Sequence, residues 1–147
     1  MSKAVEKVIF LAIIFLYLNQ SSVYAAGVTY EQFLQNAKSL RKTCQPKHKV
    51  SDELADQLGK KNFPEDKNLK CYVKCFLEMA QTMKRGKINV EAAIRQIDIL
   101  VPEHLRNDYK ATVQACKDSF KGIKDNCEAS YTFLKCSAEQ NPSYEFP

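Results

Sequence analysis

The six cysteines are the side chains in this sequence with the most varied chemistry, since thiols form disulfides, bind metal ions or act as nucleophiles. They are Cys44, Cys71, Cys75, Cys116, Cys127 and Cys136. An even number of cysteines in a short secreted chain predicts a disulfide framework, here of three bridges, and leaves their pairing open. A zinc site is the alternative, but the spacing from Cys71 to Cys75 is wider than the usual CxxC pair, and no two histidines lie nearby. We expect no metal ion and no cofactor.

Disulfides require an oxidising compartment, and the first 25 residues have the features of a leader that directs a chain there. Lys3 and Lys7 precede an apolar run over residues 8–18, and small residues, Val23 and Ala25, stand before a cleavage point after Ala25. A membrane anchor is the alternative, but the run has 11 residues and a membrane span needs about 20. The sequence therefore predicts a secretory signal peptide at residues 1–25 and one extracellular domain at residues 26–147.

The charge of the mature chain argues against nucleic acid as a partner. Without the leader, the chain keeps 20 of its 22 basic and 16 of its 17 acidic residues, which is a net charge of +4. No basic block is longer than Lys60-Lys61 or Lys84-Arg85, whereas nucleic-acid binding needs a concentrated basic face. We interpret these charges as a solvated surface.

Hydrophobic residues recur every three or four positions along almost the whole mature chain, which is the periodicity of helices. Four residues are predicted to cap helix starts through their side chains: Thr29, Ser51, Asn89 and Asp125. Gln32 follows Thr29 at the spacing of a capping box. One long helix is expected to end at Gly122, and residues 141–147 are expected to form an extended tail. The pattern predicts an all-α fold of about six helices with no strand.

A central helix is predicted over residues 68–84, which include Cys71 and Cys75. On a helical wheel most of its side chains fall in one wide arc: Tyr72, Val73, Cys75, Phe76, Leu77, Met79, Ala80, Thr82 and Met83. A helix with so little polar surface is buried on most sides. Because Cys71 and Cys75 lie one turn apart and point the same way, we expect each to bond a different neighbouring element.

Successive cysteines are separated by 26, 3, 40, 10 and 8 residues. These intervals together resemble those of the six-cysteine insect odorant-binding proteins, the PBP/GOBP family. Residues 31–34, 71–75 and 100–102 and the C-terminal Phe146-Pro147 are similar to the alcohol- and pheromone-binding members. The resemblance implies six helices around an apolar cavity that binds odorants, pheromones or other small lipophiles. It also implies three bridges: Cys44–Cys75, Cys71–Cys127 and Cys116–Cys136.

The same resemblance implies where a ligand would bind. The candidate contacts are Phe76, Met79, Thr82, Met83, Val113 and Phe146. Thr82 matches a threonine that hydrogen-bonds ligand hydroxyls, and Phe146 matches an aromatic of a tail that forms part of the pocket wall. A second polar contact of such members falls at Leu77, which favours a larger and more apolar ligand.

The residues themselves leave alternatives to each of these assignments open. An aromatic and methionine stripe at helical spacing is typical of an ordinary core. The Thr82 hydroxyl can instead bond the Glu78 carbonyl of its own helix. Terminal residues such as Phe146 usually fray. His48 and His104 can titrate between about pH 5 and 8, and we expect both to be solvated bystanders.

Other functions are weighed against that of a carrier. An enzyme would need an activated nucleophile, a base and an orienting acid, and the sequence has no GxSxG motif and no His–Asp pair, so we expect no enzyme. A helical cytokine-like or toxin-like protein that acts by surface contact is one alternative, and a carrier of a non-olfactory lipid or hormone is another. We expect a secreted monomer or weak homodimer, found in sensory lymph if it is olfactory. Its expected partner is a small hydrophobic ligand, with a membrane odorant receptor as a further candidate.

Overall fold

The computed structural model describes residues 27–147 and, before them, residues 7, 9, 10 and 13–15. The predicted cleavage point after Ala25 lies outside these residues. Within the described part of the chain, no helix has both the length and the hydropathy needed to cross a membrane.

Six helices and one short hairpin make up residues 27–147. The helices are α1 (Tyr30–Lys47), α2 (Asp52–Gly59), α3 (Lys67–Met79), α4 (Val90–Leu100), α5 (Glu103–Cys116) and α6 (Asn126–Gln140). The hairpin between α3 and α4 consists of β1 (Met83–Lys84) and β2 (Lys87–Ile88), paired antiparallel. The predicted all-α fold of about six helices is confirmed.

The predicted caps begin the helices as expected. Thr29 accepts a hydrogen bond from the Gln32 backbone N–H, and the Gln32 side chain accepts from the Thr29 N–H, which completes the capping box at α1. Three further caps each accept a backbone N–H two or three residues into the helix: Ser51 at α2, Asn89 at α4 and Asp125 at α6. Asp66 caps α3 in the same way. These bonds satisfy backbone donors that a helix start otherwise leaves free.

Helix α3 is the central element, as its sequence predicts. It packs against α1 and α6, and six of its residues are buried: Leu69, Tyr72, Val73, Cys75, Phe76 and Leu77. Two disulfides join it to these neighbours, Cys44–Cys75 to α1 and Cys71–Cys127 to α6. The third, Cys116–Cys136, joins the end of α5 to α6. All three implied pairings are confirmed.

The prediction of a helix over residues 68–84 with no strand nearby is wrong, because α3 ends at Met79. Gln81 has a left-handed backbone with φ 58°, and the Thr82 hydroxyl and backbone N–H both donate to the Leu77 carbonyl, which closes the last turn. Arg85 and Gly86, both at positive φ, then form the two-residue turn between β1 and β2. Positive φ at both central residues is the requirement of a type I′ hairpin turn.

The prediction that the fifth helix ends at Gly122 is also wrong, because α5 ends at Cys116. Residues 117–123 instead form successive tight turns, with backbone bonds from Ser119 to Cys116 and from Ile123 to Phe120. Phe120 packs edge-on against Phe133 of α6 with ring centroids 6.2 Å apart. A tertiary contact of this kind overrides the local helical preference of the segment.

Candidate functional site

The apolar interior between the helices is the candidate binding site. Phe76 of α3 is 9% exposed and lies in one cluster with Leu77, Met83 of β1 and Val113 of α5. Less deeply buried aromatic and aliphatic side chains pack against this cluster from α1 and the C-terminal tail. The sequence placed Phe76, Met83 and Val113 in the interior, and all three lie there.

The C-terminal tail, residues 141–147, is extended and folds back onto this interior. The ring of Phe146 lies 4.6 Å from that of Phe76, centroid to centroid, and packs edge-on against Tyr72 at 6.1 Å. Aromatic pairs at these separations contribute about 0.5–1.5 kcal/mol beyond the burial of their area. The tail is therefore docked at its last aromatic residue and does not fray.

Hydrogen bonds hold the tail along its length. The Ser143 hydroxyl donates to a carboxylate oxygen of Asp108 at 2.5 Å, and the Tyr144 hydroxyl donates to the Leu58 carbonyl at 3.1 Å. Tyr30 donates its phenol proton to the Glu145 carboxylate, and this bond raises the pKa of Tyr30. The tail thus joins α5, α2 and α1 around one side of the interior.

Two tyrosine hydroxyls in this region have no hydrogen-bond partner among the described residues. They belong to Tyr72 of α3 and Tyr109 of α5, and both oxygen atoms are shielded from solvent. Burial, modulated by the nearby charges of Arg41 and Asp56, raises the pKa of Tyr72 to about 12. Burial, together with the charge of Glu145, raises the pKa of Tyr109, while the backbone N–H of Glu145 near its oxygen acts in the opposite direction. Both hydroxyls are therefore neutral donors at physiological pH.

Sequence reasoning did not single out these tyrosines. Tyr72 was placed on the inward arc of the central helix, and Tyr109 lies on the apolar stripe of α5. Their periodicity predicts burial, but the lack of a partner for a hydroxyl depends on the tertiary packing around it. No local signal in the sequence carries that information.

Met79 was placed on the inward arc and named as a candidate ligand contact, and its predicted burial is wrong. Its side chain is 43% exposed, and its sulfur lies 3.4 Å from the Cys44 sulfur. As the last residue of α3, Met79 has no further turn of helix to cover it.

Thr82 was expected on the inward face of a helix, and it instead follows the end of α3. Its hydroxyl donates to the Leu77 carbonyl at 3.0 Å, one residue before the Glu78 carbonyl named as the alternative. The proton that would bind a ligand oxygen is thus committed to the backbone. Thr82 retains only the lone pairs of its oxygen for another partner.

A second, polar depression lies over the Cys71–Cys127 disulfide, between the starts of α3 and α6. Lys70 pairs there with Glu128 at 2.6 Å and with Glu65, and the bonds to both carboxylates raise the pKa of Lys70. The described residues contain no group of three or more His, Cys, Asp and Glu arranged to hold a metal ion. Lys70 is thus paired with two of the carboxylates and Asp125 caps α6, and we do not place a ligand there.

The two histidines lie away from the apolar interior described above. His48 is the C-cap of α1, where burial and the charges of Lys47 and Lys74 lower its pKa. His104 is exposed in the first turn of α5.

Comparison with known proteins agrees with the cysteine framework and the helical fold. The chain is 42% identical to General odorant-binding protein 72 of Anopheles gambiae over 121 residues, which cover 82% of this chain and all of that protein. Among solved structures, Odorant Binding Protein 4 of Chrysopa pallens superposes with a TM-score of 0.75 at 36% identity, covering 82% of this chain and 99% of the other. The fatty acid binding protein OBP56a of Phormia regina superposes with a TM-score of 0.56 at 26% identity, covering 81% and 99%. Residues 27–140 match the model of the PBP/GOBP family, and the chain therefore belongs to that family of insect odorant-binding proteins.

Proposed function

We propose that this protein is a secreted carrier that binds one small hydrophobic ligand in its apolar interior and transports it through aqueous extracellular fluid to a membrane receptor. The observation that carries this proposal is the docking of Phe146 against Phe76 and Tyr72. A terminal residue that packs on the central helix gives the interior a wall that can open without unfolding the disulfide-linked helices.

The three disulfides support such a role physically. They fix α1, α5 and α6 relative to each other and to α3, so the helices need not pack as tightly as an uncrosslinked core to remain folded. A ligand that enters the interior then contributes by burying apolar surface, at roughly 25 cal/mol per Å². The disulfides thus stabilise the fold, and the apolar interior contributes the affinity for the ligand.

The proposed lining consists of Phe76, Met83, Val113 and Phe146. Phe76 and Phe146 offer flat apolar faces, and Met83 offers a flexible side chain that adapts to ligands of different shape. Leu77, also buried beside them, keeps this part of the interior apolar. The exposed position of Met79 and the committed proton of Thr82 remove both residues from the proposed set of direct contacts.

Secretion after cleavage at Ala25 is part of the proposal, because the disulfides form only under oxidising conditions. We also propose that the protein has no catalytic activity, since the sequence has no GxSxG motif and its six cysteines are in disulfides. The Phormia regina relative, a fatty acid binding protein by name, makes the transport of a non-olfactory lipid the second candidate function for the same interior.

Ligand displacement tests the proposal. The full chain is expressed in insect cells and the protein that appears in the medium is titrated with the fluorescent probe N-phenyl-1-naphthylamine. We expect saturable uptake of one probe per chain, displacement by apolar volatiles or by lipids, and an N-terminus at residue 26 in the mass spectrum. A secreted, folded chain that takes up neither probe nor lipid would exclude the carrier function, and hydrolysis of ester ligands during the titration would exclude a purely passive role.

A further inference from the structure

The hydroxyls of Tyr72 and Tyr109 are exceptions among the tyrosines of residues 27–147. The three others each donate a hydrogen bond, Tyr131 to the Pro64 carbonyl at 2.7 Å, Tyr144 to the Leu58 carbonyl and Tyr30 to Glu145. Tyr72 and Tyr109 donate to no partner within the described residues, although their oxygen atoms are shielded from solvent. The backbone N–H of Glu145 lies near the Tyr109 oxygen, but it is a donor and leaves the phenol proton without an acceptor. Buried polar groups without a partner are rare in native proteins, and each requires a reason.

Both tyrosines lie beside the same short segment of the tail. Tyr72 packs edge-on against Phe146, and the charge of Glu145, the preceding residue, acts on Tyr109. Both phenols, like that of Tyr131, also contribute to the raised pKa of Tyr144, whose main cause is burial. The two unpaired hydroxyls therefore line the region that the tail closes, one from α3 and one from α5.

We propose that Tyr72 and Tyr109 are specificity-determining residues whose hydroxyls bind the oxygen of a neutral, oxygen-bearing apolar ligand, such as an ester, ketone, aldehyde or alcohol. The inference rests on the proposed carrier function and adds to it the chemical class of the ligand. A neutral phenol donates one hydrogen bond and accepts others, so a carbonyl or hydroxyl oxygen satisfies it. A hydrocarbon of the same length leaves both hydroxyls unpaired, which lowers its relative affinity.

The charges around the two tyrosines disfavour an anionic head group. Arg41, whose charge acts on Tyr72, is already paired with Asp52 at 2.9 Å and Asp56 at 2.7 Å. Glu145 places a further negative charge beside Tyr109.

One more cation, Lys61, lies 5.7 Å from the centre of the Tyr144 ring. Lys61 is exposed, so a carboxylate ligand buried beside the two phenols would lie next to Glu145 without a buried cation from this pair, and an unpaired buried charge is costly.

The test uses a matched ligand series and single hydroxyl deletions. Dodecane, dodecyl acetate, dodecanol and dodecanoate displace N-phenyl-1-naphthylamine from the secreted protein and from Tyr72→Phe, Tyr109→Phe and Tyr131→Phe. Tyr131→Phe is the control, because it removes a hydroxyl that already has a protein partner. Each substitution keeps the ring, so the apolar surface of the interior is retained.

We expect the acetate and the alcohol to bind more tightly than dodecane and dodecanoate. Tyr72→Phe and Tyr109→Phe should each weaken the binding of dodecyl acetate and dodecanol by roughly 3- to 10-fold, the usual size of one net hydrogen bond. The affinities for dodecane and for the probe should not change. Tyr131→Phe should not alter the ratios between the affinities for the four ligands. Thermal unfolding of the free proteins gives a second measurement, since loss of an unpaired hydroxyl should not lower Tm, whereas Tyr131→Phe should.

Failure of this inference is distinct from failure of the carrier function. If Tyr72→Phe and Tyr109→Phe weaken the binding of dodecane and dodecyl acetate equally, the proposed role of the hydroxyls is wrong while the carrier function stands. The same holds if dodecanoate binds the wild-type protein most tightly. If no ligand of the series displaces the probe from the wild-type protein, the carrier function itself loses its support.

Discussion

The backbone carbonyl oxygen of Phe146 lies against Gly59, the last residue of α2, so closely that a Cβ atom on this glycine would be 2.7 Å from it. Contact distances below 3.0 Å essentially do not occur for a real Cβ. Gly59 is not among the glycines with a positive φ, so the tail, and not the backbone conformation of α2, is what requires glycine here.

Gly59→Ala should therefore displace the tail without harming the helix, in which alanine is intrinsically favoured by about 0.5–1 kcal/mol. We expect the release rate of the fluorescent probe to increase roughly 2- to 10-fold, as follows from losing an aromatic contact of about 0.5–1.5 kcal/mol. Deletion of residues 142–147 should have at least the same effect. Stopped-flow release measures both, with exposed Lys60→Ala as the matched control. Release rates equal to wild type in Gly59→Ala and in the deletion would show that the tail does not close the site.

The disulfides differ in the length of chain that they enclose, and their contributions to stability should follow that order. Cys71–Cys127 joins residues 56 positions apart and Cys116–Cys136 joins residues 20 apart. Chain entropy in the unfolded state predicts stabilisation of about 4 kcal/mol for the longer loop and about 3 kcal/mol for the shorter. Urea unfolding of the two double Cys→Ala variants measures the difference. A greater loss of unfolding free energy in Cys116→Ala/Cys136→Ala would mean that packing around the fully buried Cys116 outweighs the effect of loop length.

Gly86 and Gly122 form a matched pair for testing how the hairpin packs on α6. Both have positive φ, 68° and 85°, but a Cβ at Gly86 would lie 2.6 Å from the Asn126 side-chain oxygen, whereas one at Gly122 would meet nothing within 4 Å. Gly122→Ala should cost about 1–2 kcal/mol of unfolding free energy through backbone strain alone. Gly86→Ala should cost about 1–3 kcal/mol more, because it also forces the hairpin away from the start of α6. Equal losses of unfolding free energy in Gly86→Ala and Gly122→Ala, measured by chemical denaturation, would contradict a tight contact between the hairpin and α6.

Local rules account for the parts of this fold that the sequence predicted correctly. Caps such as Thr29 and Ser51 act within three residues of their own position, so their effect is visible in a short window. The disulfide pairing came from the resemblance, because the spacing of six cysteines alone leaves the partners open. The depth of burial of Phe76 followed from the wide apolar arc of its helix.

Features set by tertiary contacts could not be predicted in the same way. The arc continued through Thr82 and Met83, and nothing in its periodicity marked the end of α3 at Met79, where a left-handed Gln81 and a side-chain bond to Leu77 stop the helix. The exposure of Met79 is a consequence of that end. The unpaired state of the Tyr72 hydroxyl depends on which groups of α1, α2 and the tail surround it, and no window of sequence contains them.

Alkaline pH provides a test of the buried state of Tyr72. Burial raises its pKa to about 12, above the value near 10 expected in the unfolded chain. The folded state thus holds this proton more firmly, so its contribution to stability is complete below about pH 10 and is lost as the pH rises toward 12. A difference of about two pKa units corresponds to roughly 2–3 kcal/mol of unfolding free energy. Burial also raises the pKa of Tyr109 and Tyr131, so the wild-type protein should lose stability steeply over this range.

Tyr72→Phe should lose less stability over the same range, because it lacks one of the groups that must ionise on unfolding. Chemical denaturation at pH 9, 10 and 11 measures the slopes, and near-ultraviolet titration of tyrosinate follows the ionisation directly. The two proteins should be compared at equal ionic strength, and rapid pH jumps keep the disulfides intact. If the unfolding free energy falls equally steeply with pH in wild type and in Tyr72→Phe, the Tyr72 hydroxyl is in contact with water. A hydroxyl already hydrogen-bonded to water would gain little from a ligand oxygen, and its proposed role in specificity would be wrong.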